Sequence, residues 1–129
     1  MAFSKEIQVI LARQLADCLA MPILIADSDG TLIFYNEPAE AILNQRFEET
    51  GELLAAEWVN LFAIADEERN LIPPDERPMA LALVQRQPIS RTVWIRTGPD
   101  TGRHVSLTAF PLIGQAGKFL GAMMIFWGI

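Results

Sequence analysis

The run Pro22–Glu40 constrains the fold more than any other part of the chain, because a strand, a tight turn, a second strand and a helix start follow one another without a gap. Ile23 to Ala26 and Leu32 to Tyr35 are apolar runs of strand length, rich in β-branched and aromatic side chains. Between them, Asp27-Ser28-Asp29-Gly30 carries hairpin turn chemistry. Asn36 then stands where a helix needs a cap. Its side-chain oxygen can accept from an orphan N–H of the first turn, Glu37 complements the helix dipole, and Pro38 falls where its missing N–H costs nothing. The expectation is a hairpin over 22–27 and 31–36 running into a short helix over 38–43.

Helical signals dominate the middle of the chain. Residues 47–64 carry Leu53, Leu54, Trp58, Val59, Leu61 and Phe62 at spacings that predict two further helical turns. A charged loop, Asp66 to Asn70, leads to Pro73-Pro74. Asp75 is expected to cap a helix reaching about Gln87, with Pro78 in its first turn and Met79, Leu83 and Val84 turned inward.

Three strands close the chain, over 89–97, 103–113 and 118–127, separated by turns at 98–102 and 114–117. Val93, Ile95, Val105, Leu107 and Ala109 alternate with residues of the opposite face and should point at the helices. The last strand is apolar on both faces, with Ala122, Met124 and Phe126 on one and Met123, Ile125 and Trp127 on the other. Such a sheet needs a second cover. Residues 4–20 offer one: Ile7, Ile10, Leu11, Leu15, Cys18 and Leu19 recur at helical intervals behind Ser4. The fold class is therefore α+β, a five-stranded antiparallel sheet with short flanking helices over 22–129, preceded by an amphipathic dimerisation helix within 1–21.

Composition excludes several function classes. The chain has 129 residues and 51% hydrophobic side chains, enough for one domain with a real core. Cys18 is its single cysteine and His104 its single histidine, so no intramolecular disulfide, zinc spacing or thiol–imidazole pair can be read. Cys18 reads as a small buried hydrophobe and His104 as a residue of the outer strand face. Residues 37–76 hold eleven acids and two bases, residues 77–129 six bases and one acid, and the arginines are too dispersed for a nucleic-acid stripe. No apolar run approaches the roughly 20 residues that span a bilayer, and no signal peptide opens the chain, so no direct membrane contact and a cytoplasmic location are expected.

Three segments in this order resemble the PAS domain, the sensory module of bacterial signal-transduction proteins such as histidine kinases, cyclases and transcription regulators. The opening hairpin with Asn36 is one. The Pro-rich entry to a helix over Asn70–Leu83 is the second, and the closing hairpin Pro111–Phe126, with its Gly turn and Gly121-Ala122 start, is the third. The resemblance implies a sensory or dimerisation module, attached to an output domain, that is not itself an enzyme. The alternative is a small ligand carrier or enzyme on a similar cone-shaped α+β fold.

The resemblance also implies where a ligand would sit. Leu24, Ile33, Tyr35, Phe62, Met79, Leu83, Leu107, Ala109, Met124 and Phe126 form the candidate pocket, with the Tyr35 hydroxyl as its polar group and Ile33 beside Tyr35 on one strand face. Haem binders of the family place a histidine on the long helix, and 75–87 has none. Asn44-Gln45-Arg46-Phe47 resembles the flavin box of light sensors but carries Gln45 in place of the reactive cysteine, and Phe126 stands where flavin binders carry glutamine. No cofactor is expected. The natural ligand is expected to be small and apolar, since a buried ion would lose its hydration without an opposing charge. A homodimer through the N-terminal helix and the outer sheet face is the expected assembly.

Overall fold

The computed structural model describes residues 21–98 and 101–128. The expected helix over 4–20, with Cys18, lies outside the described residues, as do residues 99–100 of the predicted turn, Ile129 and the side chain of Trp127. Strands β1 (Ile23–Asp27) and β2 (Leu32–Tyr35) form the opening hairpin. Helices α1 (Glu37–Leu43), α2 (Phe47–Thr50) and α3 (Ala55–Trp58) follow, then strand β3 (Ala63–Ala65). A 3-10 turn, Pro74–Glu76, leads into α4 (Pro78–Gln85). Strands β4 (Ile89–Gly98), β5 (Thr101–Ile113) and β6 (Phe119–Gly128) close the fold.

The strands make one antiparallel sheet in the order β2-β1-β6-β5-β4-β3. It has six strands where five were expected. The extra one is β3, cut from the end of the stretch read as helical: Ala63, Ile64 and Ala65 pair with Arg96, Ile95 and Trp94 on the edge of β4. Three residues are too few for a periodicity to register, and the pairing partner decides their conformation. At the opposite edge, Leu32 and Leu53 exchange two backbone hydrogen bonds, which covers part of the free side of β2.

Local chemistry accounts for the hairpin and its helix. Gly30 sits at φ +85°, a conformation that favours glycine, and its N–H donates to the Asp27 carbonyl. The Asp27 carboxylate accepts from the N–H groups of Asp29 and Thr31. Asn36 is buried and caps α1 through the Ala39 N–H at 3.3 Å; it also accepts from the Ile23 N–H at 2.9 Å and donates to the Met21 carbonyl at 2.8 Å. One side chain thus ties a helix start to the first strand of the sheet.

Two hydrophobic clusters lie on opposite sides of the sheet. The larger gathers Leu24, Tyr35, Ile42, Trp58, Phe62, Met79, Val93, Leu107, Met124 and Phe126 with their neighbours under the helices. The smaller contains Ile23, Ile25, Phe34 and Met123, with Ile33, Phe47, Phe110, Leu112 and Ile125 packed against it. The two-sided apolar pattern of β6 is explained by this division. Gly121 of β6 stands at φ +147°, where a Cβ would collide with the Ala26 carbonyl oxygen of β1.

The placement of Ile33 departs from simple alternation. Leu24 pairs with Tyr35 and Ile25 with Phe34, but Ala26 pairs with Leu32, which leaves Ile33 as the extra residue of a β-bulge. The bulge puts Leu32 and Tyr35 together on the helix side and sends Ile33 to the smaller cluster. Val84, expected inward, is 80% exposed, because α4 presents Met79 and Ala82 to the core. Asp75 does not cap α4. It lies in the preceding 3-10 turn, and the cap position belongs to Arg77.

Candidate functional site

Between the β1–β2 turn, α3 and α4 lies a cavity of about 340 Å³. Trp58, Val59, Ala55, Met79, Ala80 and Leu83 give it apolar walls, and Gly30, Ala56, Pro74, Asp75 and Arg77 complete the lining. The Trp58 indole N–H donates to the Gly30 carbonyl at 2.9 Å, so the wall of α3 is fastened to the hairpin turn. Pro78, at the first position of α4, presets the direction of the helix that forms the facing wall.

Arg77 is the polar feature of this site that inspection of the sequence missed. It is only 9% exposed. One Nη donates to the Val59 carbonyl at 3.1 Å, and the guanidinium lies 5.5 Å from the centre of the Phe62 ring. The Nε–H is buried without a hydrogen-bond partner, and among the described residues no carboxylate forms an ion pair with the group. Burial alone pushes its pKa below the ordinary arginine value. A cation at the N-terminal cap of a helix also opposes the helix dipole. That local mismatch, an arginine directly before Pro78 in the Pro-rich entry to a helix, was the available sequence signal.

The predicted site residues divide among three places. Met79 and Leu83 line the cavity. Leu24, Tyr35, Phe62, Leu107, Ala109, Met124 and Phe126 belong to the large core cluster. Ile33 lies on the other side of the sheet with Ile23, Ile25, Phe34 and Met123. The Tyr35 hydroxyl already has a partner in Thr50 Oγ1 at 2.8 Å, and its ring meets Phe47 edge-on at 5.3 Å. Desolvation raises its pKa, the Thr50 bond lowers it, and the charges of Glu40 and Glu49 raise it, with a net upward shift.

His104 lies away from this site. Its ring stacks on Trp94 at 4.6 Å between centroids and its Nε2 is 2.7 Å from Glu67, while Arg69 covers the Trp94 ring at 4.1 Å. Trp94 is thus dressed by a histidine and a cation. Among the described residues no cluster of histidine, cysteine or carboxylate side chains could hold a metal ion.

Comparison with known proteins agrees with this architecture. The chain is similar to the PAS domain of BvgS from Bordetella pertussis, at 18% identity and a TM-score of 0.71 over 95% of this chain and 86% of that one. It is also similar to the PAS domain of nitrogen regulation protein NR(II) from Vibrio parahaemolyticus, at 17% identity and a TM-score of 0.58, covering 92% of this chain and 98% of the other. A third neighbour is a phage VqmA–DPO complex, at 12% identity and a TM-score of 0.62, with 97% of this chain and 54% of that chain covered. At such identities the likeness shows the fold. No curated protein matches the sequence. The family model for the PAS fold matches residues 16–129, and together with the sheet order and the helices between β2 and β4 this shows that the chain belongs to the PAS fold family.

Proposed function

We propose that this PAS domain is a ligand-responsive sensory and dimerisation module of a bacterial signal-transduction protein, acting in the cytoplasm and without catalysis of its own. The observation that carries the reading is the apolar cavity between the hairpin turn and α4. A cleft of this volume suits a small organic molecule and offers Trp58, Met79 and Leu83 as apolar contacts. Its likeness to sensory domains of signalling proteins and to a protein solved with DPO supports the same reading. Occupancy would act on α4, which packs against β4, β5 and β6. A ligand that binds one position of α4 better than another shifts the sheet's output end by that difference in affinity. Homodimerisation is assigned to residues 4–20 and the outer face of the sheet, and an output domain of the parent protein is the partner that reads the change.

Ala80, half-buried on the cavity wall, provides the test. Indole is the probe, followed by calorimetry on the wild type and Ala80→Phe. The expected result is binding to the wild type that is weakened at least tenfold by Ala80→Phe, with an unchanged circular dichroism spectrum. Equal affinity in both proteins would place the ligand elsewhere.

A further inference from the structure

Strand β4 is ten residues long, and the edge strand β3 covers three of them. Pairing ends at Trp94 because the chain turns away at Asp66, whose carboxylate accepts from the N–H groups of Glu68 and Asn70 while its own N–H donates to the Asn70 carbonyl. Beyond that turn, Ile89 to Val93 pair with β5 alone among the described residues. Backbone direction alternates along an antiparallel strand, so every second residue of this stretch turns its N–H and C=O away from β5. The pairing of β3 tells which ones. The Ile64 carbonyl accepts from the Ile72 N–H on the far side, so Ala63 and Ala65 face β4, and their partners Arg96 and Trp94 face back. Thr92 and Ser90 continue that alternation without a register shift. Each presents an N–H and a C=O to an open edge, and among the described residues no backbone group meets them there.

We propose that the Ser90–Thr92 edge docks an extended, lysine-bearing segment of a partner protein, which joins the sheet as a short strand alongside β4. Main-chain hydrogen bonds to the free groups of Ser90 and Thr92 would hold such a segment, and the stretch contains neither a bulge nor a proline to prevent pairing. A polar pocket of about 380 Å³ opens against this edge, lined by Asp66, Glu67, Glu68, Arg91 and Thr92. Its charge selects the segment. Asp66 also holds its own turn and Glu67 lies 2.7 Å from His104, whereas Glu68 is exposed and forms no ion pair among the described residues. Arg91 is the lone base of the lining, and it shares strand parity with Val93 and Ile95, on the opposite face from Ser90 and Thr92. A lysine beside the Asp66–Glu68 loop therefore finds opposite charge, and a carboxylate there meets repulsion that salt weakens. This site shares no lining residue with the apolar cavity.

Three end-capped pentapeptides are the probes: Thr-Val-Lys-Val-Thr, the same peptide with glutamate in place of lysine, and the lysine peptide N-methylated at its three central residues. Each is titrated into the full chain while backbone amides are followed by NMR and hydrogen exchange. In the free protein the Ser90 and Thr92 amides should exchange faster than those of Arg91 and Val93. The lysine peptide is expected to shift and protect both, to bind about tenfold tighter than the glutamate peptide at low salt, and to lose binding on methylation. Thr92→Pro removes one edge-facing N–H without touching the β5 ladder and should weaken the lysine peptide about tenfold, with folding checked by circular dichroism. Glu68→Gln should narrow the preference for lysine over glutamate. Should Thr92→Pro not fold, protection of the Ser90 and Thr92 amides in the wild type decides. Equal affinity for the lysine and glutamate peptides overturns the proposal, as does undiminished binding by Thr92→Pro or by the methylated peptide. Absence of binding by the lysine peptide, or protection that spares Ser90 and Thr92, overturns it as well.

Discussion

The two sides of the sheet are both apolar, yet they are completed by different means. On the helix side, residues from β1, β2, β4, β5 and β6 meet a cover inserted between β2 and β4, with Ile42, Trp58, Phe62 and Met79 as its buried contributions. On the other side, Ile23, Ile25, Phe34 and Met123 are packed by Ile33, Phe110, Leu112 and Ile125 of neighbouring strands and by Phe47. A cover made of helices brings backbone ends, caps and turns with it. Such a layer can hold a cavity and a buried arginine, whereas side chains of the sheet alone give a thin apolar film. The proposed ligand cavity lies on the first side, and the proposed dimer contact on the second.

Phe47 belongs to both. It contacts Phe34 edge-on at 5.2 Å and Tyr35 at 5.3 Å, although those neighbours point to opposite sides of β2. A single ring at the start of α2 thus wraps the edge of the sheet.

The strongest way to break the comparison is to damage the strand the two sides share. Gly121→Ala should cost about 3 kcal/mol or more, since the new Cβ meets the Ala26 carbonyl oxygen and φ +147° is foreign to alanine. Urea denaturation of the variant checks this; a loss below about 1 kcal/mol would mean that the β1–β6 register slips to accommodate it.

A second experiment sharpens the division itself. Met124 and Met123 are adjacent on β6, both buried, and face opposite clusters. Met124→Ala should cost about 3 kcal/mol in any form of the protein. Met123→Ala should cost a similar amount in the whole chain and distinctly less in a chain starting at Met21, if residues 4–20 cover that side. Equal costs in both lengths would assign the cover to the sheet's own side chains.

The smallest expected effect concerns Tyr35. Replacing it with Phe removes the hydroxyl bond to Thr50 and should cost about 1 kcal/mol near neutral pH. Its pKa is raised on folding above the ordinary value of 10.0. The native state therefore holds the phenol proton more tightly than the unfolded chain. The corresponding stability is fully present below pH 10.0 and is lost as pH rises through the higher folded value. Denaturation midpoints from pH 8 to pH 11 should fall more steeply for the wild type than for Tyr35→Phe, and parallel curves would contradict the assignment.

Much of the fold was legible because it is locally encoded. The turn at Asp27–Gly30, the Asn36 cap and the alternation of Val105, Leu107 and Ala109 each depend on residues a few positions apart, where backbone geometry and side-chain chemistry leave one low-energy choice. The site was less legible. Met79 and Leu83 were found from helical spacing, while the mismatch of Arg77 with the helix dipole marks the residue without showing that Val59 and Phe62 bury it.

What the sequence by itself determined is the order of five of the six strands, the turn at Asp27–Gly30 and the Asn36 cap, the two-sided apolar character of β6, and a family resemblance that the fold bears out. What only the tertiary structure decided are the bulge that sends Ile33 across the sheet, the edge strand Ala63–Ala65, and the burial of Arg77 over the cavity. The physical reason is common to all three. Register, edge pairing and desolvation are set by partners distant in the chain, β1 for Ile33, β4 for Ala63–Ala65, and Val59 and Phe62 for Arg77, and no local pattern carries the identity of a distant partner.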